Sequence, residues 1–471
     1  MTAAVTTLPA PRDVSYVLYI VAFSLFIYGL GGLTGPRTAV RGNRIAAVGM
    51  AIAILATFLY KGFGEWGLII LGLALGTAVG VPAARQVKMT AMPQMVALFN
   101  GVGGGAVALI GWAEFRNSHG FSGEPTYVAV FSLFAAIIGS ISFWGSNIAF
   151  AKLQELMPGR PLKLPGQAVI NLGLLVVCVA SLIVLASGVR SQALFILGIL
   201  LAAAILGNMV VLSIGGADMP VVISLLNAFT GLSAAITGIA LNNIAMIVAG
   251  MLVGASGSIL TNLMAKAMNR SVPAIVAGGF GGAIAAPALA GETGGTVRST
   301  SAEDVAIQLS YARQVVIAPG YGMAVAQAQH AVRELERALE AKGVAVKFAI
   351  HPVAGRMPGH MNVLLAEADV PYDLLKEMDE INPEFPRTDV TLVIGANDVT
   401  NPAAKNEPTS PIYGMPILEV DRSGAVVVLK RSMASGFAGI DNPLFYDDKT
   451  SMLFGDAKQS VADITAEVQA L

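Results

Sequence analysis

The feature that most constrains this chain is a series of nine long apolar windows, which fills the sequence up to about Met268. An α-helix needs roughly twenty apolar residues to cross the hydrocarbon core of a bilayer. The windows occupy residues 15–33, 45–60, 66–83, 93–112, 126–151, 167–186, 191–212, 221–241 and 244–264. Only 13% of the 471 residues are charged, whereas soluble domains have about a quarter. Residues 1–268 are therefore predicted to form a polytopic α-helical membrane bundle.

Cationic residues between the windows orient this bundle. Ten of them follow odd-numbered windows: Arg37, Arg41, Arg44, Arg85, Lys88, Lys152, Arg160, Lys163, Lys266 and Arg270. Four lie on the opposite side: Arg12, Lys61, Arg116 and Arg190. By the positive-inside rule the first side is cytoplasmic. The N-terminus is then expected outside, and everything after the ninth window in the cytosol.

The remainder of the chain divides into a linker and a soluble domain. Residues 269–300 include a stretch rich in Gly and Ala, which predicts a linker. Residues 301–471 alternate strand and helix patterns, with strand candidates at 315–317, 344–350, 363–365, 390–394, 417–420 and 426–429. Helical stripes are formed by Val325, Ala328, Val332, Leu335 and Leu339, and later by Val461, Ile464, Val468 and Leu471. Repeated βα units predict a doubly wound parallel sheet of the Rossmann-like kind.

A glycine-rich turn follows the first strand candidate. It reads Gly320-Tyr321-Gly322-Met-Ala-Val325, with Val where the dinucleotide fingerprint has Gly or Ala. Such a turn lets the backbone approach a pyrophosphate, and the following helix N-terminus favours its negative charge. The motif alone is equally compatible with a structural turn, but its place between strand and striped helix favours a nucleotide site.

Two further features favour NADP over NAD. The second strand candidate ends in Ile350-His351-Pro352, without the acid that would hold a ribose 2′-hydroxyl. The last strand candidate is followed by Lys430-Arg431-Ser432, whose charges and hydroxyl suit a phosphate. A solvated turn is the plain alternative for the cationic pair. The glycine-rich segment 436–439 immediately downstream favours a phosphate-binding loop.

Other polar residues allow two interpretations each. Asp398, in the segment 395–401 after a strand candidate, is either a sensor of cofactor or proton or the start of an Asx turn. No Lys, Arg, Glu or His lies near the centre of a window, and the interior polar residues are Asn100, Ser146, Asn147, Asn171, Asn208, Asn227, Thr230 and Ser256. They either join helices by hydrogen bonds or order water for a proton path.

The chain resembles the β subunit of the proton-translocating NAD(P) transhydrogenases. The resemblance covers nearly the whole chain and is carried by the segments 215–220, 319–329, 351–360, 362–368, 393–398, 430–433 and 455–458. It implies a membrane domain that conducts protons and a cytosolic domain that binds NADP(H). It also implies an α subunit that holds NAD(H), in one chain or two, within a dimer of αβ units in a bacterial inner membrane. The reaction would be the Si/Re-specific, proton-translocating transhydrogenation.

The resemblance also implies site residues. Those of the NADP(H) site are Gly320, Tyr321, Gly322, Val325, Val353, Ala354, Gly355, Arg356, Met357, Pro358, Gly395, Ala396, Asn397, Asp398, Val399, Gly414, Met415, Lys430, Arg431, Ser432, Met433, Ala434, Ser435, Gly436, Phe437, Asp456 and Ala457.

Within this set, residues 430–432 match the family's 2′-phosphate binders, Phe437 its lid, and Asp398 an acid of proton coupling. Ser146 and Asn227 fall in segments of its proton path. The chain departs from the family pattern at Asn100, where some members have His, and at Phe437, where relatives often have Tyr.

Three functions are consistent with this sequence. The first is the β subunit of such a transhydrogenase, which accepts hydride from NADH on the α subunit as protons move inward. The second is a transporter or channel gated by a nucleotide-sensing domain. The third is a membrane-anchored NADP-dependent reductase. The formal net charge of −1, without a basic cluster, gives no indication of nucleic-acid binding.

Overall fold

The computed structural model describes residues 11–33, 35–59, 65–88, 91–158, 161–162, 164–215, 218–269, 271–279, 296–356, 359–408, 410, 412–434, 436 and 438–471. Within these residues, nine spans are long and apolar enough to cross a membrane. Their helices are α1 (Pro11–Gly32), α2 (Pro36–Phe58), α3 (Trp66–Gln86), α4 (Met92–Asn117), α5 (Thr126–Leu153), α6 (Gln167–Ala186), α7 (Gln192–Leu194), α8 (Ala202–Leu212), α9 (Met219–Ala240) and α10 (Ile244–Ala267). The predicted bundle is confirmed, one span for each window.

The seventh span contains a feature that periodicity did not predict. Between α7 and α8 the residues Phe195–Leu201 form a π-helix, and the Ser140 hydroxyl of α5 donates 2.8 Å to the carbonyl of Leu200 in it. A π-helical turn widens the hydrogen-bonding ring without changing which residues are apolar. Hydropathy alone therefore cannot reveal it.

Small residues bring the helices of the bundle close together. A Cβ added to Gly104 of α4 would lie 2.8 Å from the carbonyl oxygen of Gly139 on α5. One added to Gly257 of α10 would lie 3.0 Å from Ala228 of α9. Close backbone approach is how membrane helices gain packing energy where lipid is as apolar as the side chains. Helices α9 and α10 pack together as a hairpin, and the side chain of Asn243 caps α10 by accepting from the Met246 amide.

The polar part contains one six-stranded parallel sheet. Its strands are β1 (Gln314–Pro319), β2 (Ala345–Ile350), β3 (Leu375–Glu377), β4 (Val390–Ile394), β5 (Ala425–Lys430) and β6 (Thr450–Phe454), in the order β3-β2-β1-β4-β5-β6. The helices of this part are α12 (Ala302–Ser310), α13 (Tyr321–Val325), α14 (Gln329–Ala341), α15 (His360–Glu367), α16 (Met378–Ile381), α17 (Ala403–Asn406) and α18 (Ala457–Ala470), whereas α11 (Val272–Gly279) packs against α8 and α10 of the bundle. The predicted Rossmann-like fold class is confirmed.

Both faces of the sheet are buried, as in other parallel sheets. Along β1, Val315 and Ile317 face the core that includes α14 and α18, whereas Val316 and Ala318 face a second core with Phe385 and Phe445. β1 and β4 are in register, with Ile317 opposite Leu392. This pairing sets their carboxyl ends side by side.

Two strand predictions were wrong, and two strands were missed. Residues 363–365 lie in α15, because a three-residue apolar run has no period that separates helix from strand. Residues 417–420, whose apolar members are buried, lie outside the sheet, where the Leu418 amide donates to the Val399 carbonyl. The two missed strands, β3 and β6, are short and partly polar. They are strands because they pair with neighbours in the sheet, which their composition does not indicate.

The helix predicted after β1 is interrupted. α13 ends at Val325 and α14 begins at Gln329, with Gln327 in the left-handed region at φ 51° between them. Because of this break, Val325 points outward and is 45% exposed. Val332, Leu335 and Leu339 are buried, as predicted. The assignment of Val325 to the buried stripe is therefore wrong. In the closing helix α18, Leu471 is likewise exposed, whereas Val461, Ile464 and Val468 are buried.

The predicted linker is only partly visible. Helix α11 occupies part of the range 269–300. At the end of this range, Ser299 forms an isolated bridge with Met452 of β6. Residues 280–295, with most of the Gly and Ala, lie outside the described residues.

Candidate functional site

The glycine turns after β1 and β4 meet at the carboxyl edge of the sheet. The Gly322 amide donates 2.9 Å to the Gly395 carbonyl, and Gly395 has φ 65°. A Cβ on Gly322 would lie 2.7 Å from Gly395 Cα, and one on Gly320 would overlap Ala396. The strand order reverses between β1 and β4, which is where doubly wound sheets bind ligands. The predicted fingerprint therefore stands at the expected place.

The segment after β2 is built around two buried histidines. His351 Nε2 bonds the Pro416 carbonyl at 2.8 Å, and its Nδ1 accepts from the Val353 amide. His360 Nδ1 accepts from the Arg356 amide at 3.1 Å, and a Cβ on Gly355 would collide with this ring. Burial lowers the pKa of both imidazoles to about 4, and Arg356 adds to the effect at His360. The rings are therefore neutral anchors of the loop.

Other predicted residues of this segment have distinct positions. Ala354 is in the core, Val353 is half-buried, and Arg356 is buried at 7% exposure. Arg356 lies with its guanidinium 4.3 Å from the centre of the Tyr321 ring. Met357 and Pro358 lie outside the described residues.

After β4, Asn397 and Asp398 hold neighbouring loops. Asn442 donates to both the backbone and the side-chain oxygen of Asn397 at 3.1 Å. Asp398 Oδ2 accepts from the Ala438 amide at 3.0 Å, and a Cβ on Gly436 would lie close to its other oxygen. Val399 is buried below them. Asp398 thus contacts the glycine-rich loop that follows the cationic residues, a long-range contact that an Asx turn would not need.

After β5, the cationic residues lie at the same edge. Lys430 Nζ donates 2.5 Å to the Ala434 carbonyl and lies 4.6 Å from the centre of the Phe445 ring. Burial lowers the pKa of Lys430, while Asp398 and Asp441 oppose this shift. Arg431 and Ser432 are exposed, and Met433 is half-buried. Ser435 and Phe437 lie outside the described residues.

The remaining predicted residues are less central. Asp456 caps α18 by accepting from the amides of Lys458 and Gln459, and Ala457 is in the core. Gly414, at φ 79°, lies against the side chain of Asn269 at the end of the bundle. Met415 packs in a small separate cluster with Ile417.

Within the bundle, four polar side chains form one cluster, three of them buried and the fourth half-buried. The Asn100 amide nitrogen of α4 donates to Ser146 at 2.9 Å and to Ser142 at 3.3 Å, both on α5. The Ser142 hydroxyl is 2.5 Å from that of Thr230 on α9. Asn100 Oδ1 accepts no hydrogen bond from the described residues. We name these residues the Asn100 cluster.

Part of this cluster is predicted by the sequence. Asn100, Ser146 and Thr230 were among the interior polar residues, whereas Ser142 was not. Asn227 is half-buried on α9 and has no hydrogen bond to the cluster among the described residues. Ser142 lies one helical turn before Ser146, so the i, i+4 spacing of two serines on an apolar helix was the available signal.

A buried lysine was also missed. Lys152, one of the cations predicted in the cytoplasmic loops, lies in the last turn of α5 at 4% exposure. Its ammonium donates to the carbonyls of Val211, Leu212 and Ile214 at 3.3, 2.6 and 2.8 Å. Cations are favoured at helix C-termini, and three acceptors satisfy its three donors. The hydrogen bonds of Lys152 therefore link α5 to the C-terminal end of α8.

The residues at the sheet edge fit a phosphorylated dinucleotide. Gly320, Gly322 and Gly395 expose backbone where a side chain could not fit. Lys430 and Arg431 lie at the end of β5, the strand next to β4. Arg356 adds a third cation on the other side of the glycine turns. Backbone amides and cations together are the groups that bind phosphate in proteins.

Comparisons with known proteins agree with this geometry. A family model described as NAD(P) transhydrogenase beta subunit matches residues 15–467. The chain is 50% identical over 461 residues to the protein named NAD(P) transhydrogenase subunit beta of Rhodospirillum rubrum. The aligned region covers 96% of this chain and 98% of that protein. A sequence of the same name from a specified strain of that organism matches equally well. Nine apolar spans, a parallel sheet with paired glycine turns and these matches together show that the chain belongs to the NAD(P) transhydrogenase beta subunit family.

Proposed function

We propose that this chain binds NADP(H) at the carboxyl edge of its sheet and exchanges hydride with NAD(H) held by an α subunit, in the Si/Re-specific, proton-translocating reaction. The observation that carries the proposal is the contact between the turns of Gly322 and Gly395 at the switch point, beside Lys430. Family membership supplies the reaction class. The proposed site takes one dinucleotide, and we assign the second to the partner subunit.

The proposed roles of the site residues follow from their positions. Gly320, Gly322 and Gly395 present backbone to the pyrophosphate, and residues 430–432 take the 2′-phosphate. Asp398 contacts Gly436 and Ala438 of the glycine-rich loop, and its proposed role is to report a proton through this contact. When bound, NADP⁺ supplies the nicotinamide that accepts hydride, so this chain needs no acid or base at that step.

We propose that protons cross the bundle by way of the Asn100 cluster, with Ser146 as a member and Asn227 near it on α9. Asn100 Oδ1 is buried and can accept a hydrogen bond from a further group such as water. An amide cannot hold a proton as a histidine does. The route here would therefore depend on hydroxyls and ordered water rather than on a titrating side chain.

The proposed arrangement has residues 1–268 in the membrane, 269–300 as the linker and 301–471 as the cofactor domain. Arg37, at the cation-rich end of α2, forms an ion pair of 2.8 Å with Asp373 of the cofactor domain. This supports a cytoplasmic cofactor domain and an N-terminus outside the bacterial inner membrane. We further propose a dimer of αβ units, with the α subunit in one chain or two.

The test is reduction of an NADP⁺ analogue by NADH in sealed vesicles that contain this chain with its α subunit. A proton gradient directed into the cofactor-domain side should accelerate the reaction, and an uncoupler should abolish the acceleration. The chain alone should bind NADPH without turnover. Turnover without the α subunit would indicate a reductase, and nucleotide-controlled ion flux without hydride exchange would indicate a gated channel.

A further inference from the structure

The end of helix α5 has an unusual residue at its capping position. The Leu156 amide donates to the Ala151 carbonyl at 3.0 Å and the Glu155 amide to the Lys152 carbonyl at 3.2 Å. These two bonds form a Schellman motif, whose left-handed residue is usually Gly or Asn. Here it is Glu155, at φ 61°. A glutamate is strained in this conformation, and backbone strain of this kind is common where a side chain has a function.

The side chain of Glu155 binds the cofactor domain. Arg356 Nη2 donates 2.8 Å to Glu155 Oε1, and Arg356 Nη1 donates 2.5 Å to the Leu153 carbonyl. Leu153 is the last residue of α5, so its carbonyl has no partner within the helix. An arginine from the cofactor domain therefore caps a membrane helix, with the charge that a helix C-terminus favours.

The Leu153 carbonyl also connects this contact to the Asn100 cluster. It accepts a second hydrogen bond of 3.2 Å from Gln94 of α4, which is buried. Gln94 lies six residues before Asn100 on α4, and Leu153 lies seven after Ser146 on α5. At about 1.5 Å per residue, both separations are about 10 Å along rigid helices. A change at Arg356 thus acts on the same two helices that hold the cluster.

The guanidinium of Arg356 is equally suited to a phosphate. Its planar fork binds carboxylate and phosphate in the same manner, and it lies against Tyr321 between the two turning glycines. Both terminal nitrogens of the fork are directed at the end of α5, Nη1 at the Leu153 carbonyl and Nη2 at the Glu155 carboxylate. A two-pronged contact with a phosphate needs the same fork turned away from α5, so the two partners are alternatives.

We propose that Arg356 exchanges between two partners, the end of α5 and a phosphate of the dinucleotide, so that filling the cofactor site releases its loop from the membrane bundle. This inference rests on the proposed function and names the contact by which cofactor binding and bundle are linked. Linkage requires reciprocity: whatever weakens the contact with α5 must strengthen dinucleotide binding.

Glu155→Gly is the direct test, in the complex of full-length chain and α subunit. It removes the competing carboxylate and relieves the left-handed strain, so folding is not at risk. The dissociation constant for NADPH should fall about two- to fivefold, the range expected for a partly exposed ion pair. Glu155→Lys, which repels Arg356 from α5, should lower it at least as far.

Asp369→Gly is the matched control. Asp369 also has a left-handed backbone, φ 56°, at the end of α15, where the Val370 and Asp369 amides close the same motif. Its carboxylate has no ion pair among the described residues. NADPH affinity should remain at the wild-type value in this variant. Equal affinities in Glu155→Gly and Asp369→Gly, or weaker binding in the former, would overturn the exchange.

Hydrogen exchange separates this competition from simple charge repulsion. Saturating NADPH should increase exchange at residues 154–157 in the wild type and leave it unchanged in Glu155→Gly. Protection of these residues by NADPH would contradict the proposal. If neither protein binds NADPH, the proposed function itself fails, which is a different result.

Discussion

The Gly322 amide and the Gly395 carbonyl are joined by a 2.9 Å hydrogen bond, so the turns that follow β1 and β4 touch backbone to backbone. Each glycine leaves no room for a Cβ on the other. The contact brings residues from distant parts of the sequence to the one edge where a dinucleotide can lie.

Gly395→Ala should abolish NADPH binding, because the new methyl would meet Gly322 and the residue would be left at φ 65°. Gly343→Ala is the control: Gly343 has φ 84° but nothing within 4 Å of an added Cβ. The control shows the effect of backbone strain alone, which should lower the free energy of unfolding by about 1–2 kcal/mol. NADPH titration and thermal unfolding distinguish the two. Wild-type affinity in Gly395→Ala would exclude this edge as the site.

Replacing Lys430 and Arg431 with Ala should weaken NADPH binding while leaving NADH binding little changed. A charge-assisted hydrogen bond to phosphate contributes about 1.5–3 kcal/mol, or roughly ten- to hundredfold in affinity. Lys458→Ala, at the exposed start of α18 on the same edge, serves as a charge control. An equal loss of affinity for NADH and NADPH would contradict the assignment of the 2′-phosphate to these residues.

Thr230→Val should slow proton-coupled turnover about tenfold or more without changing NADPH affinity, because the valine keeps the volume but removes the hydroxyl bonded to Ser142. Thr237→Val is a matched change on the same helix, since among the described residues the Thr237 hydroxyl bonds the Ser233 carbonyl one turn away and no member of the Asn100 cluster. Vesicle assays with and without a gradient provide the measurement. Similar rates in both variants would exclude the Asn100 cluster from the proton route.

The cofactor domain should lose stability as the pH falls from about 6.5 towards 4. Burial lowers the pKa of His351 and His360 to about 4 in the folded state, whereas unfolded histidine titrates near 6.5. The unfolded chain thus binds protons first, and each histidine can reduce the free energy of unfolding by up to about 3 kcal/mol. Calorimetry should show this decline. His351→Gln should flatten it, because glutamine can still donate to Pro416 and accept from Val353.

The periodic elements were predictable because they are encoded by neighbouring residues. Nine apolar windows gave nine spans, and the buried strands β1, β2, β4 and β5 were found from their apolar runs. The glycine turns were found because Gly320 and Gly322 follow such a strand. These features depend on the spacing of apolar residues and glycines along the chain, which the sequence shows directly.

Predictions failed where the local pattern was ambiguous or where a distant contact decides the outcome. Val325 fits a helical stripe, but the break at Gln327 turns it towards solvent. Residues 363–365 resemble a strand but lie in α15, because a three-residue apolar run has no period that separates helix from strand. Lys152 seemed a loop cation because nothing local indicates three carbonyls from the end of α8.

The sequence by itself determined the membrane spans, the parallel sheet and the types of residue available for a phosphorylated ligand, because hydrophobic period and turn chemistry act over a few residues. Only the tertiary structure decided which polar groups meet. The joining of Asn100 to Ser142 and Ser146 depends on how two helices pack, and the capping of α5 by Arg356 joins residues about two hundred positions apart. Such contacts follow from the packing of whole elements, which no local pattern specifies.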